Sequence, residues 1–185
     1  MSPQLSFVFD ETKAAQAAAQ LLLRHGRPMG SHRLLKLLYL ADRRSLVETG
    51  YPITGDKMVC MEYGPVLSGV YDALKGSPSP IWSRYITSVK EKQATLSTDK
   101  PEIGELSSYD IRLLAETYST YGDYTFQQLK VLTHEFPEWK NPGKSSTVIP
   151  PEEILRAEGK SADEVERLAV AANAHRQMAW ALGRI

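Results

Sequence analysis

The stretch SHRLLKLLYLADRRSLVETG, Ser31 to Gly50, decides the fold. Leu34, Leu37, Leu38 and Ala41 recur at the spacing of one helical face, and Leu35 widens the stripe. Ser31 offers an N-cap oxygen, and the pattern carries the helix to about Thr49, where Gly50 and then Pro52 end it. A helix this rich in leucine belongs inside a core. The chain therefore reads as mainly α.

Upstream, Asp10 is placed to cap a first helix, and Ala14, Ala17, Ala18, Leu21 and Leu22 form its apolar face before Gly26 and Pro28 close it. The run of small alanines suits close approach by another helix. Downstream, Pro52, Gly55 and Asp56 are turn residues, and Met58 to Tyr63 suits a short strand. Pro65 fits the first turn of a third helix, with Val66, Val70, Tyr71 and Leu74 on one side and Gly76 as its stop. Ser77 to Pro80 reads as a loop. Trp82 to Val89 favours strand, and Lys90, Glu91 and Lys92 turn it back into Gln93 to Ser97 as a polar hairpin.

Ser107 or Ser108 opens a fourth helix carrying Ile111, Leu114, Ala115, Tyr118 and Tyr121, and Gly122 ends it. Thr125 caps a fifth that reaches about His134. Five prolines and glycines between residues 137 and 151 make that stretch the most linker-like in the chain. A short helix from Glu152 to Glu158 follows. Ser161 and Glu164 have capping-box spacing ahead of a last helix with Val165, Leu168, Ala172, His175, Ala179 and Leu182 in a stripe. The expected architecture is a compact helical bundle of about six or seven helices with a small β-hairpin or short strands in the middle.

The 185 residues carry 22 Lys+Arg and 22 Asp+Glu, a net charge of zero. That balance argues against a general nucleic-acid binder, which needs excess cations to replace phosphate counterions. The single cysteine, Cys60, excludes an internal disulfide framework and a multi-cysteine zinc site. No basic segment followed by an apolar run opens the chain, and no apolar run exceeds five residues, as in Leu37 to Ala41. The expectation is a cytoplasmic protein that does not engage a membrane.

No constellation for catalysis emerges. His25, His32, His134 and His175 make no close helical pair, and neighbours such as His134 and Glu135 diverge by about 100° on a helix. Cys60 lies among Met58, Val59 and Met61, which predicts an unactivated thiol. No nucleophile elbow or phosphate-binding glycine loop is present. Asp42 borders the apolar face of the second helix, where a neighbouring N–H, Arg or Tyr would satisfy it; Tyr71 across the interface is one partner to consider. Six basic residues (Arg24, Arg27, Arg33, Lys36, Arg43 and Arg44) crowd one region beside a helix–turn–helix-like connection. Helical spacing scatters them around two cylinders, which favours a solvated face over a groove-reading surface. Nine tyrosines and three tryptophans suit either interface or core.

The segment Lys36 to Lys75 resembles the Panacea domain, the SocA-like antitoxin family. KLLYLAD, then GYPITGD, YGPV and VYDALK carry the likeness. LTHEFPEW, Leu132 to Trp139, is similar to the family's second signature, and IPPEEIL fits its ending. The resemblance spans about residues 10 to 160. It implies a single domain over 1–185, with a signature core of about 10–143 and C-terminal helices over about 151–185, and it leaves no segment for a separate DNA-binding module. It also implies an antitoxin that neutralises a cognate protein toxin, encoded by an adjacent gene, through direct contact. The complex would be hetero-oligomeric, with homo-oligomers also possible, and nucleic acid is not an expected partner. Alternative readings are an adaptor that delivers a bound partner to a protease, a DNA-binding regulator, or a small hydrolase using His134 with Glu135 or Asp42. The candidate partner-binding residues are Asp56, Tyr63, Gly64, Pro65, Tyr71, His134 and Trp139. No catalytic residue, metal ligand or cofactor is assigned.

Overall fold

The computed structural model describes residues 4–26, 28–76, 78–89, 92–181 and 183. Arg27, Ser77, Lys90, Glu91 and Leu182, each part of an expectation above, lie outside the described residues. Eight helices and two small antiparallel sheets are formed among the described residues.

Helix α1, Glu11–His25, starts where the Asp10 carboxylate accepts from Lys13 N and stops at Gly26 with a left-handed φ of 70°. Its alanines let α2, Ser31–Thr49, and α5, Ser108–Tyr121, approach closely. Helix α2 is the axis of the molecule, in contact with α1, α5, α6 (Phe126–His134) and α7 (Pro151–Ala157). Ser31 is its first residue and not its cap. Gly30 holds the N-cap position without a side-chain bond, because strand β1, Met29–Gly30, pairs with β5, Gln93–Leu96, right up to the helix start.

Pro65 does not open a helix. Val66–Leu67 forms strand β3 against β2, Met58–Cys60, and α3 begins only at Ser68 and runs to Lys75. A remote carboxylate supplies the missing cap: Asp56 Oδ1 accepts from Gly69 N at 3.0 Å and Oδ2 from Val70 N at 3.0 Å. Ser79 caps a short turn α4, Pro80–Ser83, which places Trp82 in a helix and delays strand β4 to Ile86–Val89. The hairpin β4–β5 is the far side of a three-stranded sheet, order β1-β5-β4, with Ile86 and Ala94 buried.

The proline-rich stretch is no linker. Thr147–Val148 forms β6 on the open edge of β2, Glu138 is buried, and Ile149 enters the core. In α5 the buried face is Asp110, Leu113, Leu114 and Thr117, so Ile111, Ala115, Tyr118 and Tyr121 are only half-buried. Asp110 turns the helix this way by closing a capping box with Ser107 and pairing with Lys13 at 3.0 Å. Helix α8, Ala162–Ala181, buries Val165, Ala169 and Ala172, while His175 is exposed. Buried residues from Leu5 to Ala172 form one hydrophobic cluster.

Asp42 faces Thr54 rather than Tyr71. It accepts from Thr54 N at 3.1 Å and from Thr54 Oγ1 at 2.5 Å. Burial pushes its carboxyl up to about 7, against the two Thr54 bonds; nearby Asp56 adds to the rise and Lys13 opposes it. Unfolded, the group ionises near its ordinary 3.8. Folding therefore takes up a proton between these values, and this part of the stability is lost as pH rises from about 4 to 7. An Asp42→Asn variant is expected to show a flatter melting-temperature profile across that window, measured by circular dichroism. Parallel profiles for variant and wild type would refute the assignment.

Candidate functional site

The site begins with a lysine in the wrong place for a lysine. Lys36 lies on α2 between Leu35 and Leu37 and is 1% exposed. Its Nζ donates to Pro65 O at 2.8 Å. Burial lowers the amine to about 7, partly offset by Cys60, with Lys130 lowering it further. The carbonyl it meets belongs to the turn between β2 and β3. There Gly64 N donates to Met61 O at 2.9 Å and Gly64 adopts a φ of 98°.

Gly64 is the point of closest approach. A Cβ at this position would lie 2.5 Å from Lys36 Nζ, 2.7 Å from Thr133 Oγ1 and 3.1 Å from His134 Cδ2. Helix α6 ends here, its Thr133 hydroxyl donating to Leu129 O at 2.9 Å. His134, the last residue of α6, stacks on Trp139 with ring centroids 3.8 Å apart and planes 10° apart. The Trp139 indole N–H donates back to Met61 O at 3.2 Å. Burial pushes the His134 ring below its ordinary range, aided by Lys36 and Lys130, and its Nε2 is enclosed without a partner. Gly64→Ala is expected to cost about 1–3 kcal/mol from backbone strain and crowding. Urea denaturation would check this, and a cost within a few tenths of a kcal/mol would mean the turn relaxes freely.

Above this contact lies a cavity of about 210 Å³ walled by His32, Leu35, Tyr63, Tyr71, Phe126 and Lys144, with Lys36 also among its lining. A second of about 550 Å³ shares His32, Leu35 and Tyr71 with it and extends to Lys75, Ser88 and Lys92. Together they form one groove from the Gly143–Ser145 loop toward the β4–β5 hairpin. Tyr63 is 52% exposed at its lip and meets Phe126 edge-on. A separate cavity of about 490 Å³ lies between the N-terminal segment, Tyr51 and α8. Its Asp10 and Arg176 already hold Lys13 N and Ser6.

Of the residues singled out from sequence, Tyr63, Gly64, Pro65, His134 and Trp139 come together, and Tyr71 joins them as a groove wall. Asp56 does not. It is buried and holds Lys57, Gly69 and Val70 N–H groups, and burial raises its pKa. Sequence reasoning missed Lys36 as a site residue, along with Thr133 and Phe126. The available signal was the spacing of Lys36, Tyr39 and Arg43, a second polar stripe on a helix already apolar elsewhere.

Cys60 is buried, with its thiol against Glu138 O and Lys140 N, and burial raises its pKa. Among the described residues, the basic side chains near α1 and α2 do not form one patch. Arg43 pairs with Glu138 and Glu158, Arg44 with Glu48 and Glu116, Arg33 donates to Gly122 O, and Lys36 is buried. Among the described residues no group of three His, Cys, Asp or Glu is placed to hold a metal ion, and no helix is long and apolar enough to cross a membrane.

No curated protein and no solved structure matches the chain. A family model, Antitoxin SocA-like, Panacea domain, matches residues 34–140, more than half of the 185. Those bounds run from the first buried leucine of α2 to the residue after Trp139, and so enclose every residue of the Gly64 contact. The chain belongs to the SocA-like antitoxin family defined by the Panacea domain.

Proposed function

We propose that this chain, acting as one domain, is an antitoxin that neutralises a cognate protein toxin encoded by an adjacent gene, by direct contact through the groove beside Gly64. What supports this reading is the convergence there of two separated family motifs, residues 63–65 and 133–139, beside an exposed tyrosine. The protein works in the cytoplasm as a binding protein and not as an enzyme. His134 is engaged by Trp139, and Asp42 lies with Thr54 in the core, so neither forms an acid–base pair with the other. Tyr63 and Tyr71 are the residues we assign to partner contact, and Lys36, buried beneath the groove and bonded to Pro65 O, supports its wall. Gly64, Pro65, His134 and Trp139 hold the wall in shape, and Asp56 acts at one remove by fixing α3.

The test is co-expression with the adjacent open reading frame. Growth should be restored, and the two products should co-purify with the toxin level unchanged. A Tyr63→Ala/Tyr71→Ala variant should fold, as judged by its melting curve, and lose rescue. If the neighbouring product is harmless, or if no complex forms, the proposal is wrong. A fall in toxin level on co-expression would point instead to delivery to a protease.

A further inference from the structure

Resting on the direct-contact reading above, we infer that the groove receives an acidic segment of the toxin, with an apolar or aromatic side chain seated between Tyr63, Tyr71 and Phe126 and carboxylates lying over the lysines of the rim. The charge pattern carries this. Lys75, Lys92, Lys130 and Lys144 all border the groove, with Lys36 buried beneath it, and among the described residues none of the five makes an ion pair. Elsewhere Lys13, Arg43, Arg44, Arg84, Arg112 and Lys140 each reach a carboxylate, and cations such as Lys57, Arg156 and Lys160 that do not are scattered and line no cavity. Against these lysines the groove lining carries one carboxylate among the described residues, that of Glu62, so positive charge is in local surplus here.

The groove's own histidines register the same field. His32 is lowered by burial and then by Lys92 and Lys36, and His134 by burial and then by Lys36 and Lys130. Two lysines sit over the aromatic walls, Lys130 at 5.0 Å from the Tyr63 ring centroid and Lys75 at 5.1 Å from that of Tyr71. An incoming carboxylate would therefore meet an ammonium at the edge of an apolar surface. This combination recognises an acidic residue beside an apolar one.

A nucleic-acid strand suits the groove less well. The inner cavity of about 210 Å³ admits a side chain rather than successive bases, and the chain's zero net charge does not gather polyanions. A second copy of this chain is the other occupant to separate.

The experiment uses the full chain and the product of the adjacent reading frame. Lys75→Glu/Lys130→Glu/Lys144→Glu is compared with Lys57→Glu/Arg156→Glu/Arg167→Glu, which makes the same charge change at exposed positions elsewhere. The groove variant should bind about tenfold or more weakly, with an unchanged melting curve, and the control should bind as wild type does. Wild-type affinity should fall between about 0.05 and 0.5 M salt. Zero-length carbodiimide coupling should join Lys75, Lys130 or Lys144 to Asp or Glu of the toxin. Equal binding by both variants, or cross-links confined to other faces, overturns the inference while leaving direct contact standing. Cross-links between two copies of this chain, or a complex dissolved by nuclease, also overturn it. Absence of any complex with the wild-type chain removes the direct-contact reading, and this inference with it.

Discussion

Replacing Glu138 with alanine is expected to cost about 3–5 kcal/mol, a large loss for a single polar substitution. Its carboxylate is fully enclosed and accepts from Tyr39 OH at 2.9 Å and from Arg43 Nε at 2.6 Å and Nη2 at 3.2 Å. The Arg43 guanidinium also lies 4.1 Å from the Phe136 ring centroid, and Glu158 at 2.7 Å is its remaining carboxylate. Removing Glu138 strands a phenol and much of a guanidinium charge in a buried setting. A domain of this size should lose about 2–4 °C of melting temperature for each kcal/mol. Arg43→Met combined with Glu138→Leu should recover the part of the loss that comes from the guanidinium, because it leaves no uncompensated buried charge, while the Tyr39 hydroxyl still lacks its acceptor. Urea denaturation of the single and double variants makes the comparison. A loss below about 1 kcal/mol for Glu138→Ala would mean water reaches the pair.

Lys36→Met is expected to act in opposite directions on stability and on binding. Burying an ammonium is unfavourable, so an apolar side chain of similar length should stabilise the fold by about 1–4 kcal/mol. The gain has a definite pH signature. The folded amine titrates at about 7 and the unfolded one at its ordinary 10.5, so between these values the unfolded chain holds the extra proton. Wild-type stability from this group rises over that interval and is lost as pH falls through about 7. The advantage of the methionine variant should therefore be full below pH 7 and fade as pH approaches 10.5. The same variant should bind the toxin more weakly, since the Pro65 carbonyl loses the donor that holds the turn bearing Tyr63. A destabilised variant, or one whose advantage does not change with pH, would show that Lys36 holds its neighbours together instead.

The helices were legible because their signals are local. Asp10, Thr125 and the Ser161–Glu164 pair cap as their spacing implies, and glycines 26, 50 and 76 end helices as expected. The strand pairings were not legible, because Met29 meets Ala94 and Val59 meets Val148, partners that no local pattern links. Those long-range pairings also explain the misread ends: β1 takes over the cap expected of Ser31, and β3 the helical start expected of Pro65. At the site, the two motif blocks stood out as text, whereas Asp56, read as a turn residue and a partner contact, holds the N–H groups of Gly69 and Val70 instead. The meeting of the two blocks at Gly64 required the third dimension. Glu138 was missed because it lies among prolines without periodicity, although Tyr39 and Arg43, four apart on α2, form the face that receives it.

The seam where β6 joins β2 bears on when the protein can act during its own synthesis. Ribosomes deliver α2 and the β2–β3 turn early, but α6, Trp139 and the loop at Lys144 follow much later, and β6 closes the sheet only after Val148 has emerged. A half-translated chain holds Lys36, Tyr63 and Tyr71 without Phe126, Thr133 or Lys144. The groove lining is thus complete only once the Gly143–Ser145 loop has been made, and a message cut short before residue 143 would encode part of the wall and none of that loop.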